Sequence, residues 1–174
     1  MKLNVRLYGD PCLRKKSALV KEVGVSERML IRSMLETMYS HKGIGLAAPQ
    51  VGINQQIFVA DVGDGPVVIV NPKIVRKSGV TNREEGCLSI PGVMANIKRP
   101  AKIWVKYIDE NNQVVEQEYS DLMARVFLHE TDHLLGKLII DYLNPRAKAK
   151  LEEKLTESIS LQNSPFARAS EKEM

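Results

Sequence analysis

Two cysteines in a chain of 174 residues are too few for a secreted disulfide scaffold. Cys12 and Cys87 therefore point to a reducing compartment, where a thiolate ligand persists. No run of 18 or more apolar residues occurs, so no membrane-spanning helix is expected. The opening residues MKLNVRLYGD lack the apolar core of a secretory signal and are unlike a long Arg/Ser-rich transit peptide. The expected location is the cytoplasm. Internal repeats and low-complexity segments are also missing. So is any block of one charge: Lys and Arg number 25 against 21 Asp and Glu, and the basic residues are spread along the chain. A net charge of +4 permits weak attraction to an acidic partner such as RNA, but predicts no recognition of a specific nucleic-acid sequence. What remains is 44% hydrophobic and 26% charged, an ordinary globular composition. At this length a single domain spanning 1–174, with a sizeable core, is expected.

Hydrophobic periodicity sets out the elements. Residues 4–25 read as an extended lead with a turn at Gly9-Asp10-Pro11. Ser26 is expected to cap a helix from Glu27 to about His41, with Met29, Leu30, Met34, Leu35 and Met38 at helical spacing and Gly43 as its stop. Strands are expected at 56–62, 67–72, 102–109 and 113–119, the last two joined by the hairpin signal DENN. Ser120 is expected to cap a second helix of about sixteen residues that ends at Gly136. Asn144-Pro145 reads as the cap and first turn of a C-terminal helix over roughly 146–160, and the polar residues 163–174 are expected to fray. The order predicts an α+β fold with mostly antiparallel strands, rather than alternating βαβ units.

Histidine is scarce too. Of three, two fall four residues apart in HETDH at 129–133. That spacing puts His129 and His133 one turn apart on one helix face, where two imidazoles can grip a metal with Glu130 beside it as a general base. Leu122 and Val126 precede His129 on the same face. The competing reading is an exposed acidic helix with two incidental histidines. A catalytic metal needs a third protein ligand. The longer pattern HExxHxxGxxH is followed through Gly136 but meets Ile139 at its last position, which cannot bind a metal. Glu152, Glu153 and Glu157 lie at a thermolysin-like separation, within a stretch that reads as a solvated, charge-paired helix. Cys87, in EEGCLSIPG, is the remaining candidate. A lone cysteine is otherwise a small buried hydrophobe, which is the reading for Cys12. On spacing alone, Cys87 and the glutamates both stay open.

Three segments then act together: GIGLAAPQ at 43–50, EGCLSIPG at 85–92 and HETDHLLG at 129–136. In this order and at these separations they resemble the peptide deformylases, and DPCLRKKS at 10–17 resembles that family's N-terminal lead. The resemblance runs from about residue 3 to residue 143. It implies a single catalytic domain that removes the formyl group from the formyl-methionine of nascent bacterial or organellar proteins and releases formate. It implies one divalent metal held by Cys87, His129 and His133 with water in the fourth position. The native ion would be Fe(II), with Zn, Ni or Co as replacements, whereas ligand softness alone would suggest zinc. It also implies Glu130 as the proton carrier, and the Gln50 amide and the Leu88 backbone N–H as donors to the oxyanion.

Within that resemblance other residues acquire expected roles. Gly43, Ile44 and Gly45 would line the peptide, Gly45 admitting close backbone approach so that 44–46 pairs with it like an added strand. Ile44, Leu122 and Val126 would wall the methionine pocket. Glu85 and Asp132 are candidates to orient the imidazoles. The helix after the core would be a docking element for the ribosome. Leu128, Leu135 and Met94 depart from common family patterns and bear on peptide selectivity rather than on chemistry. Two other function classes stand beside this one. An internal metallopeptidase would depend on Glu153 or its neighbours, and a silent metal binder would show no turnover.

Overall fold

The chain divides into two compact units, residues 1–139 and 140–174, and the computed structural model describes residues 1–162. The frayed tail expected over 163–174 lies outside the described residues. In the second unit a 3-10 turn, begun at Ile139 and closing at Tyr142, precedes the C-terminal helix α3, Pro145–Gln162. Its start is as the sequence implied: the Asn144 side chain accepts from the Ala147 N–H at 2.9 Å, and Pro145 occupies the first helical position.

The first unit is built on a five-stranded antiparallel sheet with strand order β1-β2-β3-β6-β7. Its strands are β1 Gly45–Ala47, β2 Ile57–Ala60, β3 Val67–Ser78, β6 Lys102–Ile108 and β7 Val114–Ser120. A separate hairpin pairs β4 Thr81–Cys87 with β5 Ile90–Arg99. Helix α1 spans Val25–Ser40 and helix α2 spans Asp121–Leu134. All four β2 residues are buried, because both faces of that strand are covered. Ile57 and Val59 join Ile31, Met34 and Met38 of α1 in one cluster. Phe58 and Ala60 point the other way, to Ala124, Phe127 and Leu134 of α2. Phe127 anchors the second cluster, with its ring 5.0 Å from Phe58 in a T-shaped contact and 5.8 Å from Tyr119. Burying such a ring stabilises the fold by about 1.5–3 kcal/mol. Helix α2 is therefore central and buried on most sides, which fits the expected α+β arrangement of antiparallel strands around the HExxH helix.

Several local expectations are corrected. Gly24, not Ser26, is the N-cap of α1. Its N–H donates to Glu27 Oε2 at 3.0 Å, and Ser26 sits inside the first turn, donating to the same carboxylate. The left-handed residue ending α1 is Lys42 (φ 55°), not Gly43. The Gly43 N–H reaches the Met38 carbonyl at 2.9 Å and the Lys42 N–H that of Tyr39 at 3.0 Å, closing the helix end and offsetting the roughly 1–2 kcal/mol cost of that conformation. The missing side chain at Gly43 serves packing instead: a Cβ there would meet Leu88 Cδ1 at 2.9 Å. Ser120 occupies the N-cap position of α2 but makes no side-chain cap bond; its hydroxyl donates to Asp121. The extended lead contains a 3-10 turn, Pro11–Arg14, capped by Asp10. The largest omission is the β4–β5 hairpin, where no strand was expected. Its inward positions alternate properly, but Glu85 and Arg99 sit among them and break the apolar signal.

Candidate metal centre

All the residues of the site lie within the first unit. Helix α2 delivers His129 and His133 from successive turns, with ring centroids 5.0 Å apart and a 71° interplanar angle. Cys87 arrives from the last residue of β4, just before the two-residue turn Leu88-Ser89. Its Sγ is 3.3 Å from His133 Nε2, and ligand atoms of Cys87, His129 and His133 all fall within 4.8 Å of one another. Among the described residues this is the one group of three or more such side chains that could hold a metal ion. Of the glutamates at a thermolysin-like separation, Glu152 and Glu153 belong to α3 of the second unit, and the Glu157 side chain lies outside the described residues.

The tautomer of His129 follows from Glu85. Each Glu85 oxygen accepts two hydrogen bonds. Oε1 receives Arg99 Nε and Arg125 Nη1, both at 2.6 Å, and Oε2 receives Arg99 Nη2 at 2.8 Å and His129 Nδ1 at 3.0 Å. Burial works against the charged carboxylate, but the bonds from His129 and Arg99 outweigh it and hold its pKa down at about 2. A carboxylate has no proton to give, so Nδ1 of His129 is the donor and Nε2 is left to face the cluster. Asp132, the other candidate for orienting an imidazole, is bonded to Arg99 at 2.8 Å. Neither Arg99 nor Arg125 stood out in the sequence. The only signals were the inward alternation of β5 (Ala95, Ile97, Arg99) and the position of Arg125 one turn before His129.

Gln50 is oriented by its backbone setting. In the 3-10 turn Ala48–Val51 it reaches back, its Oε1 accepting from the Ala47 N–H at 2.8 Å. Because that N–H can only donate, the amide nitrogen is the end turned to the cluster, 3.6 Å from Cys87 Sγ and 3.3 Å from Ser89 Oγ. Glu130 is buried, and burial raises its carboxyl pKa to about 7, against the lowering effect of His129. Its Oε2 has no hydrogen-bond partner among the described residues. Gly45 makes room for it: a Cβ at 45 would collide with Glu130 Oε1 and approach Val126 Cγ1 to 2.9 Å. His133 is held well below the usual imidazole range by burial and by the neighbouring His129.

A cavity of about 600 Å³ opens above these groups. Its lining includes Gly43, Ile44 and Gly45, Leu122 and Val126 of α2, and Gln50, Cys87, Leu88, His129 and Glu130. Every expected site residue except His133 and Asp132 is at this cavity; His133 touches Cys87, and Asp132 is bonded to Arg99. Met94 is an exposed part of the rim, whereas Leu128 is buried in the α2 core. Cys12, apart from the cluster, donates its thiol to the Pro49 carbonyl, and burial pushes its pKa up to about 11.

One thiol and two imidazoles converge beside a buried carboxylate on an antiparallel α+β frame, a donor set that could hold a divalent metal. Residues 2–149 match the polypeptide deformylase family. The peptide deformylase of Thermotoga maritima is 47% identical over 152 residues, covering 87% of this chain and 93% of that protein. Its crystal structure superposes with a TM-score of 0.81 over 83% of this chain and 99% of that one. A peptide deformylase structure from Legionella pneumophila, 36% identical, gives 0.87 over 95% of this chain and 100% of that one. One from Synechococcus elongatus in complex with actinonin, 44% identical, gives 0.82 over 89% and 85%. The chain belongs to the polypeptide deformylase family.

Proposed function

We infer that the chain removes the N-formyl group from the formyl-methionine of nascent polypeptides and releases formate. The observation that carries this reading is the convergence of Cys87, His129 and His133 on one cavity with Glu130 and Gln50, in a chain of this family. The donor set fits a divalent metal: one soft thiol, two imidazoles, and beside them a buried Glu130 oxygen without a partner among the described residues. Cys87, His129 and His133 would hold the ion, which we take from the family resemblance to be Fe(II), with Zn, Ni or Co as alternative occupants. When bound, such an ion supplies a Lewis acid that activates water and polarises the formyl carbonyl.

The chain's own groups do the rest. Glu130, with its pKa raised by burial to about 7, takes a proton from the attacking water and returns it to the departing amine. The Gln50 amide nitrogen and the Leu88 backbone N–H donate to the oxygen that gains charge. β1 is an edge strand; the Ile44 carbonyl accepts from the Asp61 N–H at 2.9 Å, so it is Gly45, next in the alternation, that would offer its backbone to an extended peptide. Ile44, Leu122 and Val126 bound an apolar slot for methionine. Discrimination by such a pocket is about 1–3 kcal/mol per methylene, so other long apolar side chains are tolerated. No helix among the described residues is long and apolar enough to cross a membrane, and we take the working location to be the cytoplasm, with the chain acting as one catalytic domain and α3 as its contact with the ribosome.

The test is formate release from a formyl-Met tripeptide by anaerobically prepared, iron- or nickel-loaded protein, beside Cys87→Ala. Turnover that disappears in the variant is the expected result. Cleavage at internal peptide bonds, or no formate from metal-replete protein, overturns the reading.

A further inference from the structure

Cys87 and the two histidines come from separate pieces of the fold. The hairpin β4–β5 is a two-stranded sheet of its own, and its backbone approaches α2 closely at few points. Side-chain bonds join them, and one guanidinium supplies much of the join. Arg125, buried on α2 one turn before His129, donates through Nη1 to Glu85 Oε1 at 2.6 Å and to the Ile97 carbonyl at 3.0 Å. Its Nη2 reaches the Thr81 carbonyl at 3.2 Å and Thr81 Oγ1 at 2.8 Å. A single side chain thus touches the first residue of β4, the residue two before Cys87, and Ile97 near the end of β5. Its partner Glu85 is the acceptor that fixes His129.

The buried Arg99–Glu85–Arg125 group is a poor device for stability alone. Desolvating three charges costs more than packing apolar side chains of similar volume, and such triads elsewhere have been replaced by hydrophobic residues without loss of the fold. What a planar, multiply bonded guanidinium adds is geometry. We infer that Arg125 is a positioning residue for the metal centre, holding the Cys87 hairpin and, through Glu85, the His129 ring at the separation that a single ion spans.

The proposal rests on the metal reading above, and its test separates the two. Full-length wild-type protein, Arg125→Leu, Arg125→Lys and Cys87→Ala are loaded with Co(II) in the absence of substrate. The dissociation constant is read by chelator competition, and the thiolate-to-cobalt absorption band reports Cys87. Loss of a residue that orients a ligand typically weakens metal binding by about 10- to 100-fold. Arg125→Leu is expected to lose affinity by that factor with a diminished thiolate band, and Arg125→Lys, which keeps the charge but not the fork, to recover only part of it. A folded Arg125→Leu with wild-type affinity and band overturns the proposal. If that variant does not fold, Thr81→Val carries the test: it removes one contact of Arg125 and no charge, and unchanged affinity and band in it overturn the proposal equally. A wild-type protein whose Co(II) spectrum is the same as that of Cys87→Ala overturns the Cys-His-His reading itself, and the positioning role with it.

Discussion

Helix α2 and the β4–β5 hairpin meet at one site but are built on opposite principles. The helix is fastened by shape. Phe127, Ala124 and Leu134 pack against Phe58, Ile69 and Ile103, and the histidines follow from that seat by periodicity. The hairpin is fastened beside the site by charge. Buried Glu85, Arg99 and Arg125, with half-buried Asp132, form a network there, set among the buried apolar Ile90, Ala95 and Ile97 of β5. A packed helix tolerates little motion, so it is a good carrier for His129, His133 and Glu130. A charge-locked hairpin depends on exact partners, and so does the third ligand. The difference teaches that, of the three proposed ligands, Cys87 is the one most exposed to failure, although His129 and His133 are the ones a motif finds.

Four substitutions break or sharpen that contrast. Phe127→Ala removes the shape-based anchor and is expected to cost about 3–5 kcal/mol in denaturant unfolding. An effect below 1 kcal/mol would show that α2 is not seated as described. Gln50→Glu keeps an oxygen for the Ala47 N–H but replaces the donor turned toward Cys87 with an acceptor. Turnover should fall about 100- to 1000-fold while bound metal, measured by elemental analysis, stays near one per chain. Metal loss instead would mean that Gln50 serves the hairpin rather than the chemistry. Gly45→Ala presses a methyl group against Glu130 Oε1 and Val126, shifting the carboxylate on the otherwise rigid helix. A misplacement of this kind costs about 100-fold in kcat, and kcat unchanged in steady-state assays would exclude the packing role of Gly45. Lys106→Ala deletes an exposed ion pair with Glu116 on the solvent face of the sheet, far from either fastening. It should change stability by less than about 1 kcal/mol and leave formate release unaltered.

The same contrast explains what could be read in the sequence. Helix α2, the hairpin of β6 and β7, and the start of α3 follow from apolar spacing, a polar turn and an Asn-Pro cap, so their positions were legible within a few residues. The β4–β5 hairpin was not, because its inward-facing Glu85 and Arg99 look like surface residues until partners are known. Arg125 is hidden the same way on the helix, a charge at a buried position. Cap chemistry also misled. Ser26 and Ser120 are good cap types, but Glu27 reaching back to Gly24 fixes the first start and Ser120 turns to Asp121. Cys87 could be chosen over the α3 glutamates only through the joint pattern of three segments, since its distance in sequence from His129 says nothing about the 4.8 Å that separates their donor atoms at most.

X-ray absorption on zinc-loaded full-length protein tests the central claim most directly. The account predicts one sulfur ligand at about 2.3 Å and two imidazole nitrogens at about 2.0–2.1 Å, with the sulfur lost in Cys87→Ala. A shell of nitrogen and oxygen alone in the wild-type protein would contradict it, and would mean that the hairpin does not deliver its cysteine to the helix.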